Sequence, residues 1–234
     1  MKKHSKRYNL AREKITGKAG DKPGNQVYEI EEVLARLKEM PPAKFDQTVE
    51  ITINLGIDPK KTEQMVRGAV VLPRGIGKSR KVIVFAAGEE AQAAKTAGAD
   101  EVGAEELIKK ISDGWIDFDV AIAPPYMMKT VSKLGKILGP AGKMPSPKNG
   151  TVTADITNAV KEFKAGKVEY RSDTGGVIHA PIGKLSFSIS DLAQNTQAFL
   201  DHIQGNRPPT AKGIFISRAT ISATMSPGLR IKLK

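Results

Sequence analysis

Apolar positions recur along this chain with two different periods, and the period changes twice. Residues 29–40 place Ile30, Val33, Leu34 and Leu37 at helical spacing, and Pro41–Pro42 end the run. Residues 48–55 alternate strictly, with Val49, Ile51, Ile53 and Leu55 on one face and Thr48, Glu50, Thr52 and Asn54 on the other. That pattern predicts a strand with one buried and one polar face. Asn54–Lys61 read as a turn. After Val71, the breakers Pro73, Gly75 and Gly77 interrupt the chain, and residues 81–88 and 118–125 then read as continuous apolar strands. Between them lie an alanine-rich helix (89–97), a short strand near 101–102 and a helix over 104–113, and a further helix covers 126–134. Apolar strands alternating with helices predict a parallel sheet covered on both faces.

From Asp155 the alternation returns. A helix over 155–165 leads into strands 167–172 and 176–183, joined by a turn at Asp173–Gly176. A helix over 190–204 is capped by Ser190 or Asp191, and 213–224 form a last long strand that closes the sheet. The two chain ends share one character and the middle another. The predicted fold therefore combines α+β and α/β classes in two domains. Residues 27–69 and 156–234 form a discontinuous split α+β domain, and 70–155 form an inserted Rossmann-like α/β domain. Crossing points near 68–75 and 150–158 form a hinge. Residues 1–26 read as a basic arm with a short helix near 5–15 and a flexible GKAGDKPGN stretch; the arm orders on RNA or remains a solvated tail.

Charge changes the picture more than composition does. The 234 residues carry 37 Lys and Arg against 25 Asp and Glu, a formal net charge of +12, which favours a polyanionic partner. No basic helix has a strong apolar face and no apolar run is long enough to span a bilayer, so nucleic acid is preferred to a membrane. The basic N-terminus is not followed by an apolar segment and does not read as a secretory signal. Cysteine is absent, which excludes disulfides, thiolate metal sites and cysteine nucleophiles. His4, His179 and His202 lack metal-ligand spacing. The segment GIGKS at 75–79 has Leu72 where a phosphate-cradling loop needs glycine, and no dinucleotide fingerprint follows 81–88. No enzyme activity, cofactor, metal or small-molecule substrate is predicted, and the free protein is expected to be a monomer.

Three stretches point to RNA. Lys44–Phe45 place a cation and an aromatic ring before the first strand, suited to a phosphate and a stacked base or sugar, unless Phe45 is a core residue. Thr48, Glu50 and Thr52 offer short hydrogen-bonding groups for 2′-hydroxyls, or form an ordinary solvated sheet face. Residues 222–228, SATMSPG, end a strand in small polar side chains that permit close approach, with Met225 as an adaptable apolar contact, or are simply a strand terminus. A fourth stretch, GKILGPAGKMPSPKNGTV at 135–152, has four Gly, three Pro and no acid, and reads as a stiff basic loop.

That loop resembles the signature of the ribosomal protein L1 family, roughly LGPRGLMPNPKxGTV. Leu138, Gly139, Pro140, Gly142, Met144, Pro145, Pro147, Lys148, Gly150, Thr151 and Val152 match it; Ala141, Lys143 and Ser146 depart. AKFDQTVE at 43–50 is similar to a second family motif. Arg171, Asp173, Gly176, His179, Pro181, Gly183 and Lys184 fill a third, and Ser222, Thr224, Met225 and Pro227 a fourth. Ser226 stands where the family has glycine, and fits only with negative φ. The resemblance implies that Lys44, Phe45, Thr48, Glu50, Arg171, Asp173, Gly176, His179, Lys184, Ser222, Thr224, Met225 and Ser226 bind large-subunit ribosomal RNA at the base of a mobile side stalk. Pro73 and the signature loop would belong to the hinge; Lys143, which departs from the family pattern, either adds a phosphate contact there or is neutral drift. It further implies a place in the large ribosomal subunit, release of deacylated tRNA from the exit site and, in many members, repression of the protein's own mRNA. The alternative is a non-ribosomal RNA-binding or RNA-chaperone protein on the same fold.

Overall fold

A computed structural model describes residues 5–16 and 26–233, which fall into two compact units. The predicted flexible stretch at 17–25 and His4 lie outside the described residues. The first unit takes the chain through Val66, then Leu72–Gly77 and everything from Tyr170. The second takes Arg67–Val71 and Lys78–Glu169.

The first unit begins with α1 (Lys6–Thr16), β1 (Val27–Tyr28), α2 (Ile30–Lys38) and β2 (Thr48–Leu55). After the second unit it resumes with β8 (Val177–Lys184), α8 (Ile189–Gly205), β9 (Ile216–Ala223) and β10 (Leu229–Ile231). Its sheet has the order β1-β10-β9-β2-β8, with β1 parallel to β10 and the other pairs antiparallel. The expected last strand is therefore followed by one more. β10 lies between β9 and β1, and β10 and β1, with three and two residues, are too short to show a period. Val49, Ile51, Ile53, Ile178, Ile182, Ala219, Ile221 and Leu229 are buried on one face of this sheet. Val33, Leu34 and Leu37 of α2 and Leu192, Phe199 and Ile203 of α8 complete that core. Pro181 lacks the N–H a central strand needs, and β8 accommodates it as the edge of the sheet.

α8 starts one residue earlier than expected, and neither Ser190 nor Asp191 is its cap. Its N-cap is Ser188, whose Oγ accepts from the Asp191 backbone N–H at 3.1 Å. α1 is ordered and docked rather than a free arm: Ala11 and Ile15 are buried, and Lys14 Nζ donates to the Glu39 carbonyl at 2.9 Å.

The second unit contains β3 (Arg67–Val71), β4 (Val82–Phe85), α3 (Glu89–Thr96), β5 (Glu101–Gly103), α4 (Glu105–Ser112) and β6 (Val120–Ile122). Two single turns, α5 (Met128–Val131) and α6 (Gly135–Leu138), precede α7 (Ile156–Ala165), and β7 (Lys167–Arg171) leads out. β4 pairs in parallel with β5 and β6, and all four β4 residues are buried, as a strand covered on both faces requires. One face carries Ala94 of α3 and Ile156, Val160 and Phe163 of α7. The other carries Leu107, Ile111, Val131, Leu134 and Leu138.

Four expectations change here. α7 packs on β4 and β6, so it belongs with the inserted unit and the chain leaves that unit after Glu169, not near 150–158. β7 does not form a hairpin with β8. It pairs with β3, and only an isolated bridge at Ser172 and Ile178 joins the two segments across the turn. The helix over 126–134 is a succession of short α and 3₁₀ turns running to Leu138. The signature segment thus opens in helical turns, and only its remainder is irregular.

Candidate nucleic-acid interface

The uncovered face of the five-stranded sheet is built by strand register. Thr48 pairs with Lys184 on one side, and Glu50 lies between Pro181 and Ser222. Thr52 lies between His179 and Thr220, and Asn54 between Val177 and Arg218. Because directly opposed residues share a face, these positions form a mostly polar face, with Pro181 and Val177 as its apolar members. His179 is exposed in its row, its Nδ1 3.2 Å from Thr52 Oγ1.

At one end of this face two of the expected residues, Lys184 and Thr224, meet Thr48. Lys184 Nζ donates to Thr48 Oγ1 at 2.9 Å. The Thr48 N–H donates to Thr224 Oγ1 at 3.1 Å, and the Thr224 N–H donates to the Thr48 carbonyl at 3.0 Å. The turn after β9 is therefore bolted to the start of β2, and it presents Met225 53% exposed. Lys44 and Phe45 lie on the segment entering β2, both exposed. Phe45 is 52% open to solvent, so it is not a core residue.

Ser226 fits its turn without strain. No described non-glycine residue has positive φ, and the Ser226 N–H donates to the Ala223 carbonyl at 2.9 Å. Its Oγ accepts from the Ala223 N–H at 2.8 Å, an extra bond that glycine would lack.

Two residues in this cluster escape a reading of the chain. Gln47, buried just before β2, accepts the Met225 N–H on its Oε1 at 3.0 Å. Arg7 of α1 donates from Nε to the Pro41 carbonyl at 3.1 Å and from Nη2 to the Met225 carbonyl at 3.5 Å. Both tie the loop carrying Phe45 to the turn carrying Met225. Only their type was visible in the chain; their partners are 34 to 218 residues away.

Arg171, Asp173 and Gly176 are not part of that cluster. They precede the opposite end of β8, about 20 Å along the strand from Lys184 at the usual rise per residue. Asp173 closes the turn: its Oδ1 accepts from the Gly175 and Val177 N–H groups, each at 2.8 Å. Those backbone bonds, that to Val177 first, hold its carboxyl below the ordinary aspartate value. Gly176 has φ of 74° and hands its carbonyl to the Leu55 N–H at 2.9 Å.

The signature loop belongs wholly to the second unit. Thr151 Oγ1 accepts from the Ser146 N–H at 2.8 Å, closing the loop, and Val152 bridges Ala123 in parallel alongside β6. Gly142 and Gly150 have φ of 70° and 68°, and a Cβ on Gly139 would lie 2.6 Å from the Gly135 carbonyl oxygen. Pro140, Pro145, Pro147 and Lys148 lie on this loop, whereas Pro73 lies in the first unit. Lys143 is not a free phosphate ligand: its ammonium donates to the Ile116 and Phe118 carbonyls at 2.9 and 2.6 Å. Among the described residues no group of three or more His, Asp or Glu could hold a metal ion, and no helix is long and apolar enough to cross a membrane.

A discontinuous α+β unit with an open polar sheet face, interrupted by a small parallel α/β unit, is the class of protein that these elements define. Residues 37–227 match the model of the Ribosomal protein L1p/L10e family. Over 231 residues the chain is 50% identical to the Large ribosomal subunit protein uL1 of Lactobacillus gasseri, covering 99% of this chain and 97% of that one. The chain belongs to the ribosomal protein L1 family.

Proposed function

We propose that this protein is a structural component of the large ribosomal subunit, in the cytoplasm, that binds large-subunit ribosomal RNA at the base of the mobile side stalk. The observation that carries the reading is the convergence of Lys44, Phe45, Thr48, Lys184, Thr224 and Met225 at one end of an uncovered polar sheet face. Affinity then has two sources. Lys44 and Lys184 neutralise phosphates and release counterions, a contribution that falls with salt. Phe45, Met225 and the threonine hydroxyls read shape and 2′-hydroxyls, a contribution that salt leaves nearly untouched. The inserted unit is the part assigned to the moving stalk, with β3 and β7 as the segments through which the chain enters and leaves it. Assistance to the release of deacylated tRNA, and repression through a similar fold in the protein's own mRNA, belong to the same reading.

The test is binding of the purified protein to a stalk-base ribosomal RNA fragment and to a scrambled RNA of equal length, at low and high salt. Selective binding that persists at high salt supports the assignment. Equal binding to both that disappears with salt reduces the protein to a basic adhesive. Stable co-sedimentation with the large subunit separates the ribosomal role from that of an RNA chaperone on the same fold.

A further inference from the structure

The sheet face continues past the cluster at Thr48. Arg218 shares a row with Asn54, and Arg230 of β10 stands opposite Thr220, so the two arginines are diagonal neighbours on the same uncovered face. The buried alternation of β9, with Ala219, Ile221 and Ala223 inward, forces Arg218 outward, and Leu229 and Ile231 do the same for Arg230. The other arginines of this unit are occupied. Arg36 pairs with Glu32 and Arg74 with Asp191. Arg7 and Arg207 donate to backbone carbonyls, and Arg171 lies against the Met65 sulfur. Among the described residues, Arg218 and Arg230 have no hydrogen bond or ion pair. Glu50 is the single acid at an outward position of β2, β8, β9 and β10. An unpaired guanidinium pair on an open face, continuous with a polar cluster, matches phosphate geometry and has no partner within the protein.

We infer that Arg218 and Arg230 form a second anion-binding locus, which takes backbone phosphates of the same RNA about 20 Å along the face from Met225. The inference rests on the RNA-binding reading above and extends its footprint from one end of the sheet to the length of β9. The locus positions the RNA without reading its sequence. Phosphate contacts of this kind contribute roughly 0.7 to 0.9 to the slope of log affinity against log salt for each phosphate neutralised.

The experiment uses the full-length protein and the variants Arg218→Gln, Arg230→Gln, the double Gln variant and the double Lys variant. Each is titrated with the stalk-base ribosomal RNA fragment between about 0.1 M and about 1 M salt, after circular dichroism has confirmed native melting. The double Gln variant should bind roughly 25- to 60-fold more weakly at about 0.1 M, with the difference closing near 1 M and the slope lowered by about 1.4 to 1.8. The double Lys variant keeps the charge and should recover most of the slope. An unchanged slope in the double Gln variant, with wild-type protein still selecting the fragment over scrambled RNA, overturns the inference and leaves the primary site standing. A double Lys variant as weak as the Gln variant also overturns it, since charge would not be the cause. Wild-type protein that fails to select the fragment removes the RNA-binding reading itself.

Discussion

Replacing Phe45 by alanine separates recognition from folding more cleanly than any other single change. The ring is 52% exposed, and among the described residues of the first unit it is the aromatic side chain most open to solvent. Its covered part lies against a shallow recess of about 370 Å³ shared with Met40, Pro42, Gln47 and Leu185. Full burial of a phenylalanine stabilises by about 1.5–3 kcal/mol, so half of that bounds the folding cost at about 1.5 kcal/mol. A base stacked on the ring is worth about 1–3 kcal/mol, which corresponds to roughly 5- to 150-fold in affinity. Phe45→Ala should therefore melt close to wild type and bind the stalk-base RNA fragment at least fivefold more weakly. The loss should be nearly equal at about 0.1 M and about 1 M salt, because stacking releases no counterions. Phe45→Tyr keeps the ring and should restore binding. Fluorescence anisotropy titrations of the labelled fragment, beside thermal melts, read both quantities. Affinity within twofold of wild type at both salt concentrations would refute the placement of the site at this end of the sheet.

Lys184→Ala removes an ammonium held on Thr48 and should chiefly flatten the salt dependence, whereas Thr224→Ala should weaken RNA binding at every salt concentration. Matched salt titrations of the two variants distinguish charge from contact. Asn195→Leu should destabilise the first unit by about 3 kcal/mol, because Asn195 is fully buried and its loss orphans the Arg74 N–H and the Gly75 and Ile182 carbonyls. Urea unfolding followed by circular dichroism measures this, and a shift below about 1 kcal/mol contradicts it. Asp173, whose folded pKa is depressed by the Val177 and Gly175 N–H groups, stabilises the fold above the unfolded aspartate value near 4. That contribution is lost as pH falls through the depressed value. Asp173→Asn should flatten the stability profile below about pH 4 and leave its shape near neutrality unchanged; a parallel acid limb in both proteins speaks against the assignment.

Much of the fold is local physics and can be read from the chain. The strict alternation of 48–55 dictates which residues of β2 are buried, since a strand has only two faces. The unbroken apolar run at 82–85 predicts a strand covered on both sides, and the structure buries all four residues. The family motifs were legible too, because each is a contiguous string. Assembly was not. Which strand lies beside which depends on register between segments far apart in sequence, so the Thr48–Thr224 bolt, the pairing of β7 with β3 and the adjacency of Arg218 and Arg230 appear only in three dimensions. α7 shows the same limit: its apolar stripe is clear, but only packing decides that the stripe covers β4 and β6. Lys143 looked like a free cation because a lysine in a basic loop resembles any other, and the two carbonyls that hold it lie 25 and 27 residues away. The sequence alone determined what each segment is and which face it buries; tertiary structure decided which segments meet, since periodicity is a property of one element and a binding face is a property of several.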